Sequence, residues 1–485
     1  MPTEQEPHDA ERADRPRRAL RTGPDDRHMS DFESMMWTVD KDPMLSSTFG
    51  SVTLLDRPPD QERLRRRMQR TVASIPRLRQ RVVPVLGRLA PPEWQDDPDF
   101  DIDRQVRRVA LPAPGDVRAL LDLATRIVQA PLDRTRPLWE FVAVEGLDGG
   151  RGALIQKMHH TITDGEGGVR MSEQFIDLTR AEPDQPVEAD DPPPVGPAPA
   201  SSIVESAADA LGHGIRRGIG VLRRTAEEAG GLAAHPDRLP ALGADAVDLA
   251  RSTLRQVTVT DRSHSPLWTT RTLQRRLEVL SVPFDEAHRS AKALGGSLND
   301  WFVTGAAAGA GAYHRRHQLP VAELRMAMPV STRTDRSAGG NAFVPTRVLV
   351  PTGDAHPAER FAAVHDALSR TKHERALGLV GPLAGVVNLL PASVLIRVAR
   401  QQVETVDFTT SNVRAAPFEL YIAGGMIEAT YALGPLGGTA FNLTMMSYRG
   451  SLDMGLHVDA GAIDEPAQLR ACLEEAFAEL LAATG

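Results

Sequence analysis

The sequence predicts a mixed α/β protein built as two domains, and three observations predict it. The chain has 485 residues and a mass of 52.6 kDa, too long for one ordinary hydrophobic core. Strand-like apolar runs and helix-period patterns occur on both sides of its middle. Between them, Ala181 to Ala200 holds seven prolines and five acidic residues, too little apolar surface to offset chain entropy, so this stretch reads as a linker. With 41% hydrophobic, 5% aromatic and 25% charged residues, the chain is neither collagen-like, wholly disordered nor a polytopic membrane protein.

Taken in order, residues 1–28 mix acidic and basic side chains with almost no apolar residue after Met1. They read as a disordered tail without the apolar core of a signal peptide, and a cytoplasmic protein is expected. A first domain over 29–180 opens with Met29 and Met35-Met36-Trp37. Asp60-Gln61-Glu62-Arg63 then starts a helix whose Leu64, Met68 and Val72 recur every four residues. Arg65, Arg66, Arg67 and Arg70 form its other face, either solvated or holding a phosphate; they stay unassigned.

Residues 181–268 carry the linker and an amphipathic crossover. Val204, Ala208, Leu211, Ile215, Ile219 and Leu222 recur at helical spacing, with Arg216, Arg217, Arg223 and Arg224 gathered among and after them. Such a helix either lies on an anionic membrane surface or packs on the body of the protein, and Gly212, Gly214, Gly218 and Gly220 weaken it. The second domain, 269–485, begins with a strand over Leu273–Val282. Ser297-Leu298-Asn299-Asp300 then opens a small-residue helix. Ala376 to Ile396 is a 21-residue stretch with no charged side chain, but Pro382, Asn388 and Pro391 argue against a spanning helix. Two short apolar helices are expected there, lining a lipid tunnel, touching a bilayer or packed in the core. Phe441–Tyr448 and Leu452–Val458 flank Arg449-Gly450-Ser451 as a hairpin, and Glu465–Leu481 closes the chain as a helix.

Composition also excludes functions. The single cysteine, Cys472, can build neither an internal disulfide nor a thiolate metal site. A net charge of −8 and a pI near 6.0 leave no global basic field for nucleic acid. Without a glycine-rich phosphate loop or a dinucleotide fingerprint, nucleotide hydrolysis and hydride transfer are not expected as the main activity.

The strongest signal for chemistry is the strand-like Ala153-Leu154-Ile155-Gln156-Lys157-Met158, followed by His159-His160-Thr161-Ile162-Thr163-Asp164-Gly165 and Gly167-Gly168. A strand ending in a turn that presents adjacent histidines puts an imidazole on a short, rigid loop, where a general base belongs. Neutral imidazole accepts a proton from a hydroxyl and is typically worth about 10²–10⁴ in rate. Asp164 can fix the loop, and Gly165 lets the backbone close behind it. A metal site is disfavoured, since neighbouring histidines point to opposite sides of an extended backbone and no third cluster supports one.

His-His-x-x-x-Asp-Gly is the signature of the coenzyme-A-dependent acyltransferase superfamily, and the surrounding sequence resembles the bacterial wax ester synthase/diacylglycerol acyltransferase family. The family's Pro-Leu-Trp motif is matched by Pro137-Leu138-Trp139, and its Asn-Asp motif by Asn299-Asp300. Met29 to Glu33, Asp42-Pro43 and Pro91-Pro92-Glu93-Trp94 also look like actinobacterial members. The resemblance covers about 29–180 and 270–485. The family's Ser-Asn-Val-Pro-Gly-Pro motif appears altered, as Ser411-Asn412-Val413-Arg414-Ala415-Ala416-Pro417.

The resemblance implies two chloramphenicol-acetyltransferase-like domains, with mixed sheets flanked by helices and an active-site tunnel at their interface. It implies His160 as the base that deprotonates an acceptor hydroxyl for direct attack on the thioester of a long-chain acyl-CoA, with His159 in support and Asp164 held by an arginine. Asn299, then Ser411 and Asn412, are the implied donors to the tetrahedral intermediate, although Asn299 also sits where a helix N-cap would sit. Arg333, in Pro329-Val330-Ser331-Thr332-Arg333, is a candidate for a CoA phosphate. Pro137, Leu138, Trp139 and Asp300 read as structural. The acceptor would be a diacylglycerol or a fatty alcohol and the product triacylglycerol or wax ester. No cofactor is bound permanently, acyl-CoA being a substrate. Peripheral contact with the inner face of the membrane or with lipid droplets is a further expectation. The rivals are an enzyme of the same superfamily that takes its acyl group from a carrier protein, and a lipid binder that keeps the fold without turnover.

Overall fold

A computed structural model of the chain describes residues 27–85, 91–181, 263–331, 343–372 and 391–484. The N-terminal tail up to residue 26, the basic helix at 204–224, Arg333 and residues 376–390 of the uncharged stretch lie outside the described residues. In chain order the elements are α1 (Asp31–Val39), β1 (Thr48–Leu55), α2 (Gln61–Ser74), β2 (Gln80–Val83), β3 (Glu93–Asp96), α3 (Ile102–Gln105), β4 (Val106–Ala110), α4 (Val117–Gln129), β5 (Trp139–Glu145), β6 (Gly152–His159), α5 (Gly165–Ser172) and β7 (Ile176–Asp177). The second half supplies β8 (Arg275–Pro283), α6 (Phe284–Ala293), α7 (Leu298–Arg316), β9 (Glu323–Ser331), β10 (Phe343–Pro351), α8 (Pro357–Lys372), α9 (Ala392–Val403), β11 (Phe408–Arg414), β12 (Tyr421–Ile422), β13 (Gly425–Leu433), β14 (Phe441–Tyr448), β15 (Ser451–Asp459) and α10 (Pro466–Ala482).

Among the described residues the strands form two large mixed sheets flanked by helices, as the family resemblance implies, while β2 and β3 pair as a separate two-stranded sheet. One has seven strands in the order β4-β5-β6-β1-β13-β12-β7 and the other six in the order β10-β9-β11-β14-β15-β8. β4 and β5 are parallel, as are β11 and β14, while β1 is antiparallel to both β6 and β13. Thus β12 and β13, from the C-terminal half, complete the sheet begun by the N-terminal half, and the two halves share hydrogen-bonded backbone.

β6 is buried on both faces, with Leu154 and Met158 in one apolar cluster and Ala153 and Ile155 in another. That double burial is why it reads as a near-continuous apolar run rather than an alternation. In α7, 14 of 19 residues are buried, which removes any amphipathic period. Its small residues mark close approach: a Cβ at Gly305 would fall 2.1 Å from Phe477 Cε1, and one at Gly311 2.0 Å from the Thr352 carbonyl oxygen. The hairpin at the end is present, with Tyr448 paired to Ser451 and positive φ at both turn residues, Arg449 (43°) and Gly450 (79°).

The arginines of α2 are structural where the structure shows their contacts. Arg67 is buried and meets Asp177 Oδ1 at 2.7 Å, Arg63 meets Asp177 Oδ2 at 2.7 Å, and the more exposed Arg65 meets Asp103 at 2.7 Å. Asp177 lies on β7, far away in sequence, so a local reading has no access to it. α9 starts directly after Pro391 and packs against α1, with Arg400 paired to Asp42. Its Leu395 is buried, while Val394 and Val398 are exposed. Among the described residues no helix is long and apolar enough to cross a membrane.

Candidate active site

β6 carries the two histidines to the sheet's end. The His159 amide donates to the Leu138 carbonyl (3.0 Å) and the His160 amide to the Ser47 carbonyl (3.1 Å). Pro137-Leu138-Trp139 therefore supports the loop directly. Leu138 accepts a hydrogen bond from it, and Trp139 pairs with Met158, is fully buried, and donates through Nε1 to the Leu78 carbonyl at 2.7 Å. A charged cleft of about 240 Å³ lined by Asp97, Arg104, Arg136 and Trp139 lies against this segment, and His160 is not part of its wall.

The adjacent rings lie in different surroundings, as alternation along an extended backbone requires. His160 is partly buried and packs its ring against Phe49, with centroids 4.5 Å apart. Burial, followed by the neighbouring His159, pushes its pKa down to about 4, against the opposing pull of Asp164 and the Thr163 backbone. The imidazole is thus neutral at neutral pH, with Nδ1 buried. His159 is 1% exposed. Its Nδ1 accepts from the Thr161 amide (3.1 Å), and its Nε2 faces Asp40 Oδ1 at 3.4 Å. At that distance the Asp40 contact is a long charge–dipole pairing rather than a short hydrogen bond.

Asp164 is buried and caps α5, its Oδ1 accepting from the Gly167 amide at 2.8 Å. A further arginine contact at this loop's base falls on a residue that the sequence reading missed, Asp40, which Arg134 holds at 2.9 Å. Gly165 has no positive φ. What it provides is room, since a Cβ there would stand 3.3 Å from Val413 Cγ2 of β11. At Gly167 no side chain fits, because a Cβ would be 2.0 Å from Thr163 Oγ1.

The contact of α5 with β11 brings in the second set of residues. Asn412 Nδ2 approaches Asn299 Oδ1 at 3.5 Å, Ser411 is partly buried beside it, and the Ala415 amide donates to the Ser447 carbonyl, so pairing with β14 continues past Arg414. The capping role expected of Asn299 belongs to Ser297, which accepts from the Asp300 amide while Asp300 accepts from the Ser297 amide. Asn299 is the second residue of α7, and its side chain is not consumed by the cap. Asp300 is buried. Burial pushes its carboxyl up, but hydrogen bonds from Ser297 and His365 outweigh this and hold it below the usual carboxylate range. His365, 2.9 Å from Asp300, carries no local sequence signal. Among the described residues no cluster of three or more His, Cys, Asp or Glu could hold a metal ion.

The family model for the wax ester synthase/diacylglycerol acyltransferase catalytic domain matches residues 29–302, and that for the family's C-terminal domain matches 339–481. The chain belongs to this family. It is an acyltransferase, and its relatives agree. A protein of Mycobacterium tuberculosis (strain ATCC 25618 / H37Rv), provisionally named a diacylglycerol O-acyltransferase, is 33% identical over 486 residues, covering 98% of this chain and 94% of its own. A second from the same strain, named likewise, is 30% identical over 477 residues, 94% of this chain and 97% of its own. Among solved structures, the wax ester synthase/diacylglycerol acyltransferase of Marinobacter aquaeolei VT8 shares the fold with a TM-score of 0.64 at 21% identity, over 94% of this chain and 100% of that one. The first condensation domain of the calcium-dependent antibiotic synthetase shares it with a TM-score of 0.57 at 17% identity, over 94% and 96%.

Proposed function

We propose that this acyltransferase moves a long-chain acyl group from acyl-CoA to the hydroxyl of a diacylglycerol or a fatty alcohol, with His160 as general base. The observation that carries the reading is the place of His160, directly after β6, in a loop that abuts the strand carrying Ser411 and Asn412, where burial pushes its pKa down and favours the neutral ring. His160 takes the acceptor's proton as the hydroxyl oxygen attacks the thioester carbonyl. The tetrahedral intermediate collapses by breaking the carbon–sulfur bond, and the thiolate of CoA recovers that proton from the imidazolium, so ester and free CoA leave. No covalent acyl-enzyme and no resident cofactor is needed. Asn299, Ser411 and Asn412 are the candidate donors to the oxyanion, and a donor of this kind is typically worth about 10²–10³ in turnover. Substrates would meet in a tunnel between the two halves, with Arg333 toward a CoA phosphate. A lipid acceptor favours a cytoplasmic enzyme touching the inner face of the membrane or a lipid droplet, and the exposed Val394 and Val398 on α9 suit such contact.

The test is thiol release from palmitoyl-CoA by the full-length protein, with a diacylglycerol or a fatty alcohol added and the product identified by mass spectrometry. Ester with either acceptor supports the reading and names the acceptor. No thiol release from folded protein refutes it, and would redirect attention to a carrier-protein donor, since condensation domains share this fold, or to lipid binding alone.

A further inference from the structure

The backbone that presents His160 is held at two places, and both lead to Asp40. The His160 amide donates to the Ser47 carbonyl (3.1 Å), and the Ser47 amide in turn donates to Asp40 Oδ1 (2.9 Å). On the other side His159 Nδ1 accepts from the Thr161 amide. Nδ1 also lies 2.8 Å from Thr161 Oγ1, and since an amide N–H can only donate, Nδ1 is the accepting nitrogen and the ring's N–H is at Nε2, facing Asp40 Oδ1 at 3.4 Å. Asp40 Oδ2 accepts from Arg134 Nη1 (2.9 Å), and Arg134 Nη2 donates to the Trp37 carbonyl (2.7 Å). The guanidinium lies over the Trp37 indole, 3.3 Å from its centroid, and the same indole meets the His159 ring edge-on. One carboxylate at the end of α1 thus ties together the start of β1, the end of β6 and the segment that leads into β5.

Given the reading of His160 as base, we infer that Asp40 is a positioning residue for the reaction, acting through His159 and Ser47 to fix the angle at which His160 meets the acceptor hydroxyl. His159 and His160 are consecutive, so locking the first ring and the Ser47 contact sets the backbone torsions that aim the second. Displacing a catalytic group by about 1 Å costs about 10² in rate. That is the burden the Asp40 contacts carry.

Full-length variants assayed with palmitoyl-CoA and a diacylglycerol test the inference. His159→Gln keeps an N–H donor at the reach of Nε2 and should hold kcat within about five-fold of wild type. His159→Leu, similar in bulk without the donor, and Asp40→Asn should each lower kcat about 10–100-fold with KM for palmitoyl-CoA nearly unchanged. The double variant His159→Leu/Asp40→Asn should lose no more than Asp40→Asn alone, because removing the carboxylate already cuts the His159 route along with the Ser47 one. Equal loss in the Gln and Leu variants, KM rising in step with falling kcat, or losses that multiply would overturn it. Should Asp40→Asn not fold, the Gln and Leu pair still decides. His160→Ala separates this from the reading beneath it. Turnover that survives in His160→Ala removes the base and the positioning role with it, whereas turnover lost there but kept in His159→Leu removes the positioning role alone.

Discussion

Asn412 and Asn299, 113 residues apart, meet side chain to side chain, Nδ2 donating to Oδ1 at 3.5 Å where β11 faces the start of α7. Because Ser297 caps that helix, the cap does not consume the Asn299 side chain, and with its oxygen receiving Asn412, Nδ2 is the group left to donate. Asn299→Ala should therefore lower kcat by about 10²–10³ with KM for acyl-CoA little changed, the signature of a contact made mainly in the transition state. Asn412→Ala, which removes only the group that orients Asn299, should cost about ten-fold. Steady-state kinetics on both variants, with melting curves to confirm the fold, would expose a purely structural role if thermal stability fell and kcat did not.

Much of this was legible in the sequence because it is local. The β6 run, the histidine pair at its end, the turn at Arg449-Gly450 and the start of α7 at Ser297 each depend on residues a few positions apart. What escaped is held by distance. Asp40 and Arg134 converge on His159 from elements 94 residues apart, and His365 reaches Asp300 from 65 residues away. The capping alternative for Asn299 arose for a local reason, since Ser297 and Asn299 are both good caps and only the backbone at Ser297 (φ −97°, ψ 161°) decides between them. The use of β12 and β13 in the first sheet had no sequence signal, because an apolar strand does not name its partner.

Trp139 should be a stability residue whose loss also reaches the site. Its ring is fully buried and its Nε1 is the donor to the Leu78 carbonyl. Trp139→Phe leaves that carbonyl unmet and should cost about 1–3 kcal/mol in urea unfolding, while Trp139→Ala adds a cavity and should cost about 3–5 kcal/mol. Because the adjacent Leu138 carbonyl holds the His159 amide, the Ala variant should also lose activity at temperatures where it remains folded. A Trp139→Ala variant as stable as wild type would remove this account of the Pro-Leu-Trp segment.

Acid should weaken the fold well before the carboxylates titrate. His457 donates through Nδ1 to the Gly434 carbonyl (3.0 Å), and burial pushes its pKa down to about 4, as it does for His160. An unfolded histidine takes up its proton near 6.5, whereas these two do not until about 4, so the unfolded chain binds more protons throughout that window. Stability is then fully present above about pH 6.5 and falls as pH drops toward 4. Asp453, whose carboxyl burial pushes up, opposes this only in part. Melting temperatures from pH 7.5 to 4.5 should decline, and His457→Gln, though less stable at pH 7.5, should decline less. Identical slopes in the two proteins would show that His457 does not titrate this way.

The same shift makes a kinetic claim about His160. The acid limb of kcat/KM reports the free enzyme's essential base, and an unperturbed histidine would place it near 6.5. With burial holding His160 neutral down to about 4, kcat/KM should stay level from pH 7.5 to about 5.5 in assays short enough to precede acid unfolding. In the proposed mechanism a base of such low pKa is also a weak one, which leaves part of the rate to its aim and to the proposed oxyanion donors. That fits a loop held by Asp40 through Ser47 and His159 on one side, with β11, the strand that carries Asn412, packed against α5 on the other. A limb near 6.5 in protein shown to be folded would mean that substrate entry or local opening resolvates the ring, and that the buried resting state is not the one that reacts.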